Sequence, residues 1–470
     1  MLAAYANSLK IPELRRRIFF TFAIIALCRV SCNIPCPGID PKALAALFNQ
    51  MSQRAGGGVL NMFNLFSGGA LQKFAVGALG IMPYISASII MQLMTPVIPT
   101  LEKMSREGEH GRQKVHQYTR YLTVAICIVQ GTMLAKTMMN PSLLGMPGGA
   151  PPVVRPGLAF IVMTVIILTG GAMLLMWLGE QITEYGIGNG ASLIITVNIV
   201  ARLPQAVVGM VRLVRAGGVS SGQSFTIIHV LLMLVVFFVV CGATVALTQG
   251  HRKIPVKYAR RMGGRGMSAG QTTYMPLRVN YSGVMPIIFA GAILMFPGMI
   301  LQLPILRISQ ETIQAHEWMK YIEHSRLWLV QFFTYGTAGY MFAYGCMILL
   351  FAFFWVANQF NPVQIADDLQ KHGGYVPGIR PGQPTAEFLD QTMTRITVAG
   401  ALFLTGLAIL PMLLARQFRI PPLVAQFFGG TSLLIMVGVM LDTMRQVEAH
   451  LLSRHYDGFL HKGKLRSRRR

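Results

Sequence analysis

The sequence is poor in charged residues, and those it has are mostly of one sign. Asp, Glu, Lys and Arg make up 12% of the 470 residues, with 17 acidic residues against 41 Lys and Arg. Soluble domains carry about 25% charged residues, so an ordinary soluble fold is excluded. Mean hydropathy is +0.51, and apolar runs recur at about the 20 residues that a membrane-spanning helix needs. We therefore predict an all-α polytopic membrane protein.

The chain also lacks the motifs of an energy-converting enzyme. No GxxxxGK[ST] loop occurs, and GIGNGAS at 186–192 joins two apolar runs rather than a strand and a helix. HEWMK at 316–320 lacks the second histidine of a zinc-protease helix, and no nucleophile and base are spaced as a catalytic pair. We predict no enzymatic activity and no cofactor, so a partner or a gradient must supply any energy for transport.

The sequence has only six cysteines, and five of them lie in or beside hydrophobic runs. A small buried hydrophobe is the ordinary role of such a cysteine. Cys28, Cys32 and Cys36 recur every four residues and could share a helix face. No His or carboxylate completes a metal site there, so we predict no bound metal.

Ten apolar segments are predicted to be membrane spans. The first follows Arg15, Arg16 and Arg17 and has no small-x-small cleavage site after it, so it is predicted to be an uncleaved helix. The ten predicted spans are 18–36, 75–98, 119–139, 158–179, 188–203, 225–248, 282–303, 336–358, 394–415 and 430–444.

The basic residues predict the orientation of these spans. The side of the membrane that holds the N-terminus receives 27 of the 41 Lys and Arg. Positive residues accumulate on the cytoplasmic side, so both termini are predicted to be cytoplasmic. The tail 456–470 is a basic cytoplasmic extension.

Ten spans divide into two halves of five, 1–210 and 211–455. An odd number of spans in each half inverts the second half relative to the first, which is the parity of an inverted repeat. A functional path is then expected at the interface of the halves.

One apolar stretch, 61–95, is interrupted by five helix-breaking residues: Gly68, Gly69, Gly77, Gly80 and Pro83. Irregular backbone at membrane depth must be buried in protein or line a water-filled cavity. We predict a separate half-helix at 61–74, followed by a pore-lining helix in which Ile85 and Ile89 lie one turn apart.

Two predicted cytoplasmic loops are long, 249–281 and 359–393. The first carries HRKIPVKYARRMGGRG, and the second brackets Arg380 with two Pro-Gly pairs. Proline fixes φ and glycine permits tight turns, so this frame is predicted to present Arg380 in a defined geometry.

Ionisable side chains are scarce within the spans: Arg29, Lys136, Arg202, His229 and Asp442. Coupled transporters place such groups near the membrane midplane. A secondary transporter remains an alternative, but the apolar interior favours a conduit that a hydrophobic ring can close. An intramembrane enzyme would need paired catalytic groups, which the spans lack.

Six long motifs occur in one order along the chain: FSGGAL, ALGIMPYISASIIMQL, EGEHGRQKVHQYTRY, MWLGEQITEYGIGNGAS, FNPVQIADDLQKHGGYVPGIRPGQPT and FGGTSLLIMVGV. In these motifs the chain resembles the SecY family, the central subunits of protein-conducting channels, from about Leu9 to about Tyr456.

The resemblance implies two pseudo-symmetric halves, a closing segment called the plug, and a lateral gate between spans 2 and 3 and spans 7 and 8. It places an apolar ring in the pore, and at one further ring position this chain has Ala191 where relatives often carry Ile. The implied pore ring is Ile85, Ile89, Ile195, Ile288 and Ile435, and the implied plug, 61–74, includes Asn61, Phe63, Phe66, Ser67, Gly68 and Gly69.

The resemblance also implies partners. Small membrane subunits resembling SecE and SecG, the SecA ATPase or the ribosome, precursor polypeptides and membrane lipid are expected, in the plasma membrane. Arg380 matches an arginine with a critical role in the family. Lys257, Arg260 and Arg261 are expected either to help dock the motor or to signal topology only.

Overall fold

The computed structural model describes residues 11–53, 64, 66–140, 151–215, 227–258, 272–301, 317–334, 336–417 and 431–462. Within them most residues are helical. The helices are α1 (Pro12–Ser31), α2 (Pro41–Gln53), α3 (Met82–Met94), α4 (Pro99–Arg106), α5 (Glu109–Met139), α6 (Leu158–Tyr185), α7 (Gly190–Val200), α8 (Leu203–Arg215), α9 (Ile227–Gln249), α10 (Met285–Leu301), α11 (Glu317–Phe332), α12 (Ala338–Gln359), α13 (Pro362–Lys371), α14 (Gln383–Gln417) and α15 (Thr431–Lys462). The strands are β1 (His251–Tyr258), β2 (Thr272–Arg278) and β3 (Gly374–Tyr375).

A helix overlaps each of the ten predicted spans. In the described part of the chain, six helices are long and apolar enough to cross a membrane, or seven if α3 and α4 together form one bent span. The axes of these two helices meet at 102°. The chain is therefore a multi-pass helical membrane protein, and the count of ten spans stays a prediction with which the helices agree.

The predicted second span begins later than expected. Instead of starting at residue 75, α3 starts at Met82, with Pro83 in its first turn. Proline is favoured there because its missing N–H would have no helical acceptor in any case. The segment before it, 67–80, is a series of turns.

The predicted half-helix at 61–74 is correspondingly shorter. Asn64 and Phe66 have helical backbone, but the turns begin at Ser67. Gly68 and Gly69 have φ of +64° and +89°, values that a right-handed helix excludes. Asn61 and Phe63 lie outside the described residues.

The described chain clusters into two compact units. One comprises Met1–Val208, Phe296–Val330 and Val439–Arg470, and the other comprises Gly209–Met295 and Gln331–Gly438. The predicted division into an N-terminal half, a C-terminal half and a tail stays a prediction.

The first unit is built around α6, which packs against α1, α3, α5 and α7. Leu168, Leu175 and Ile182 recur every seven residues along α6 and are all completely buried. This spacing puts them on one face of the helix. On the side of α5, Arg120 makes two hydrogen bonds with Glu180 of α6, at 2.6 and 3.3 Å.

The second unit contains a sheet that the sequence reading did not predict. Its strand order is β2-β1-β3, with both pairs antiparallel. Ile254 and Val256 are the buried residues of β1. Ile254 and Leu277 of β2 pack in one core with Leu389 and Met393 of α14. Because α14 starts at Gln383 rather than at 394, it extends beyond the predicted span and supports the sheet.

We expect alanine substitution to have different effects on stability at two neighbouring glycines of α6. An alanine Cβ at Gly171 would lie 2.0 Å from the carbonyl oxygen of Val76, whereas at Gly170 it would meet no atom within 4 Å. Gly171→Ala should destabilise the fold by about 1–3 kcal/mol, the usual cost of overpacking. Gly170→Ala should be neutral or slightly stabilising, because alanine is the better helix former.

Thermal unfolding of both variants in detergent measures this difference. Equal midpoints for the two variants would contradict the close approach of residue 76 to α6.

Candidate docking surface and plug segment

The sheet of the second unit brings the two long loops together. Lys257 in β1 pairs with Tyr375 in β3, and Tyr258 pairs with Gly374. Lys257 is exposed, as are both tyrosines. The pairing joins the loop predicted at 249–281 to the loop predicted at 359–393 as one structural element.

A short turn after β3 presents Arg380. Val376 is buried and its carbonyl accepts a hydrogen bond from the Ile379 amide at 3.1 Å. The hydroxyl of buried Thr385 donates to the carbonyl oxygen of Arg380 at 2.8 Å. The Arg380 side chain is exposed.

The glycines of this turn have left-handed backbone, with φ of +86° at Gly378 and +97° at Gly382. Glycine adopts such angles without steric cost. The carbonyl of Gly382 then accepts hydrogen bonds from the amides of Thr385 and Ala386 at the start of α14. The defined frame expected around Arg380 is present, and the residue's role as a docking contact stays a prediction.

The exposed charges on β1 and α13 are mixed in sign. Arg252, Lys253 and Lys371 are exposed, and so are Asp367 and Asp368 on α13. Arg260 and Arg261, the other two basic residues predicted to dock a partner, lie outside the described residues. Within the described part of the chain, Lys257 and Arg380 are therefore the docking candidates that the fold places in one assembly of strands and turns.

In the first unit, two buried polar side chains, Asn198 and Arg202, and the half-buried Arg29 contact the turn segment at 66–72. Asn198 of α7 donates through Nδ2 to the carbonyl of Phe66 at 3.0 Å. Its Oδ1 accepts from Arg29 Nη1 at 3.3 Å, and the same nitrogen lies 3.4 Å from the carbonyl of Gly68. Arg202 Nη2 donates to Oε1 of Gln72 at 3.1 Å.

Gly68 fits this arrangement for two reasons. Its φ is positive, and a Cβ there would lie 2.5 Å from Arg29 Nη1 and 2.8 Å from Asn198 Oδ1. Ser67 beside it is 1% exposed, and its hydroxyl donates to the carbonyl of Asn64. The predicted plug residues Phe66, Ser67, Gly68 and Gly69 thus lie in a closely contacted segment.

The residues of the predicted pore ring all lie on helices and are all buried. They belong to both units, and their convergence into a ring stays a prediction. Ile85 and Ile89 lie on α3, Ile195 on α7, Ile288 on α10 and Ile435 on α15. Ala191, the further position that the resemblance places in the ring, is half-buried in the first turn of α7.

Cys28, Cys32 and Cys36 are buried, as expected for small hydrophobes. Only Cys28 lies within α1, and Cys32 packs against Ala70 and Ala75, both of which precede α3. The residues that the structure describes contain no cluster of three or more side chains suited to hold a metal ion.

Comparison with known proteins identifies the family to which the chain belongs. The SecY family model matches residues 75–444. The protein translocase subunit SecY of Chlamydia muridarum is 41% identical over 482 residues, which cover 100% of both chains. The chain belongs to the SecY family. SecY of Escherichia coli K12 is 42% identical over 457 residues, covering 97% of this chain and 95% of that one.

Solved structures share the fold at lower sequence identity. A structure described as a protein-conducting channel aligns with a TM-score of 0.63 and 16% identity, over 93% of this chain and 92% of the other. Sec61 from a canine ribosome-channel complex of the endoplasmic reticulum aligns at 0.60, also with 16% identity and the same coverage of both chains. A SecY whose plug domain stabilises the closed state of its channel aligns at 0.59, with 17% identity, again over 93% and 92%.

The Pro-Gly frame led to Arg380 and the helix-breaking residues led to the glycine pair, but sequence reasoning missed three residues that the structure brings to them. Asn198 and Gln72 were not singled out, and Thr385 was read only as the end of a loop motif. A partial signal was present, because Arg29 and Arg202 are rare ionisable residues within spans of a SecY-like chain, and buried charges need partners.

We expect the Thr385 hydroxyl to set the geometry of the Arg380 turn. Thr385→Val preserves the shape and removes the hydrogen bond to the Arg380 carbonyl, which should cost about 1 kcal/mol of local stability. Thr385→Ser, which keeps the hydroxyl, is the control.

Amide hydrogen exchange over 379–386 is the measurement, with faster exchange expected in Thr385→Val alone. Unchanged protection in that variant would show that the hydroxyl does not hold the turn.

Proposed function

We propose that this chain is the central pore-forming subunit of a protein-conducting channel. It passes unfolded secretory polypeptides across the plasma membrane and releases hydrophobic segments sideways into lipid. The observation that carries the proposal is its similarity along the whole chain to SecY translocase subunits. The channel fold shared with solved relatives supports it further.

The conduit is closed by apolar side chains. Ile85, Ile89, Ile195, Ile288 and Ile435 form the pore ring, which seals the pore against ions because a narrow apolar constriction loses its water. Such a ring makes no specific polar contact, so it suits a cargo whose chemistry changes from residue to residue. Their burial in the described structure supports this role.

Segment 61–74 is the plug. A structurally similar SecY has a plug domain that stabilises the closed state and maintains a membrane seal. Here the described part of the segment is turn-rich and buried, with Ser67 1% and Phe74 0% exposed. A short segment without regular helix can leave its site without unwinding a membrane span.

Lys257, Arg260, Arg261 and Arg380 dock the motor that moves the polypeptide. The partner is a SecA-type ATPase or a translating ribosome, and Sec61 in a ribosome-channel complex is one structural relative. The planar guanidinium of Arg380 suits a carboxylate or a phosphate. The chain itself is not an enzyme, because its partner supplies the energy.

Small membrane subunits resembling SecE and SecG complete the channel. Both termini are on the cytoplasmic side, where the excess of Lys and Arg also places the docking loops. Sideways release needs only an opening toward lipid, since a segment of about 20 apolar residues prefers the bilayer.

Polar substitution of the ring should break the seal. We expect Ile89→Asp and Ile435→Asn to raise the resting ion conductance and to admit precursors with defective signal sequences, because a hydrated constriction no longer dewets. Ile90→Asn is the control, since Ile90 is 40% exposed and Ile89 is 2% exposed.

Planar-bilayer conductance and translocation into proteoliposomes measure both effects. If conductance and signal selection are unchanged in both ring variants, the ring assignment is wrong.

Charge reversal at the turn should impair motor docking. We expect Arg380→Glu to slow motor-driven translocation by at least about tenfold and Arg380→Lys to slow it less, because lysine keeps the charge but loses the bidentate fork. Arg155→Glu is the control, as Arg155 is also exposed but lies in the other unit. Equal rates for the Arg155 and Arg380 reversals would exclude a special role for this turn.

Site-specific photocrosslinking tests the function most directly. A photoreactive residue replaces Ile89, Ile288 or Arg380 while a secretory precursor is stalled in transit. We expect the first two positions to crosslink to the precursor and position 380 to crosslink to the ATPase or a ribosomal protein. If the folded protein gives no precursor crosslink from the first two, the conduit is wrong and a small-solute transporter becomes the hypothesis to test.

A further inference from the structure

The turn segment 66–72 has little regular structure of its own to hold it in place. Its main-chain hydrogen bonds are local. The amide of Gly69 donates to the carbonyl of Asn64 at 2.9 Å, and the amide of Phe74 donates to the carbonyl of Leu71 at 3.0 Å. Its other polar contacts come from distant parts of the chain, in α1 and at the end of α7. The hydrogen bonds that those distant side chains donate therefore help to determine how stably the segment is held.

Asn198 connects this segment to both helices. It is 1% exposed, and its amide group is used at both ends, donating to the Phe66 carbonyl and accepting from Arg29. Phe66 and Asn198 are 132 residues apart in sequence. A buried amide with both ends satisfied favours one arrangement, because any displacement of the segment leaves a buried polar group without a partner.

Arg202 contacts the next part of the segment. It is 4% exposed and donates from Nη2 to Gln72 Oε1 at 3.1 Å. Its guanidinium lies over Gly69, where a Cβ would be 3.2 Å from Nη2. The main-chain N–H of Gln72 in turn donates to Oδ1 of Asn64 at 3.2 Å, so the glutamine links the arginine to a residue that precedes the segment.

These contacts join a buried cation, Arg202, and a half-buried one, Arg29, to neutral acceptors. The hydrogen bonds that Arg29 and Arg202 make within the described chain go to carbonyl and amide oxygens rather than to carboxylates. Hydrogen bonds of charged groups are stronger than neutral ones. Neither set of hydrogen bonds includes a carboxylate, and a buried ion pair with one would make the segment harder to release.

We propose that Arg29, Asn198 and Arg202 form a latch that holds the segment 66–72 in its closed seat and sets how readily it leaves. The inference rests on the proposed function, in which this segment is the plug. The three are positioning residues, since they act on the transported chain only through the segment. A weaker latch lowers the signal strength needed to open the channel, and a stronger one raises it.

Two opposite substitutions test the latch. Arg202→Gln removes the cation, and Asn198→Leu removes both hydrogen bonds of the amide while keeping the branched shape of the side chain. Gln72→Glu gives Arg202 a carboxylate partner and should tighten the latch. Arg155→Gln and Gln205→Glu are matched controls, because they make the same chemical changes at exposed positions of the same unit.

The direct readout is alkylation of a cysteine placed at Ser67, which is 1% exposed, in the full chain within its membrane complex with the native cysteines replaced. We expect the rate to rise at least about tenfold in Arg202→Gln and Asn198→Leu, which corresponds to about 1.4 kcal/mol of seating free energy. In Gln72→Glu it should fall below the parent rate, and this fall should vanish when Arg202→Gln is also present. The controls should keep the parent rate.

The second readout is translocation of precursors with intact and weakened signal sequences. Loosened variants should accept the weakened signal, whereas Gln72→Glu should reject it more strictly than the parent. An unchanged alkylation rate in folded Arg202→Gln and Asn198→Leu overturns the latch. A slower alkylation rate in Gln72→Glu that persists when Arg202→Gln is also present overturns it as well. If the parent protein translocates no precursor but alkylation shifts as expected, the latch stands as a structural device and the proposed function fails.

Discussion

The need to satisfy main-chain hydrogen-bonding groups away from water governs the rest of this structure. Each unsatisfied amide or carbonyl at membrane depth costs several kcal/mol, so regular helices are the default there. The segment 67–80 departs from that default, and its glycines at positions 68 and 69 prevent it from becoming helical. Side chains of α1 and α7 supply the donors that a helix would have supplied. Burial of irregular backbone is thus what places an asparagine and two arginines inside the first unit.

Features that depend on local sequence were predictable. Apolar runs gave the positions of the helices that overlap the ten predicted spans, because length and hydropathy act within one segment. The Pro-Gly pairs around Arg380 gave a defined turn because φ preferences belong to single residues. The glycines before Pro83 gave a break in the backbone. Its extent was misjudged, since the apolar residues 75–81 are equally compatible with a helix and with buried turns.

Features that depend on long-range pairing were not predictable. Gln72 and Arg202 are 130 residues apart, and no periodicity relates them. The strand HRKIPVKY was read as a charged loop, because alternation is visible only at Ile254 and Val256 and the strand needs β2 and α14 to become stable. The pore ring remains a prediction for a related reason, since its members belong to both compact units.

The continuity of α14 has a structural consequence. Its 35 residues start just after the turn that carries Arg380 and include Pro411 near the far end, and at 1.5 Å per residue they span roughly 50 Å. A hydrocarbon core is about 30 Å thick, so part of this helix extends beyond it. The sheet and α13 brace that extended part. The turn that carries Arg380 is therefore joined to the membrane-spanning part of the chain by braced helical backbone rather than by a flexible loop.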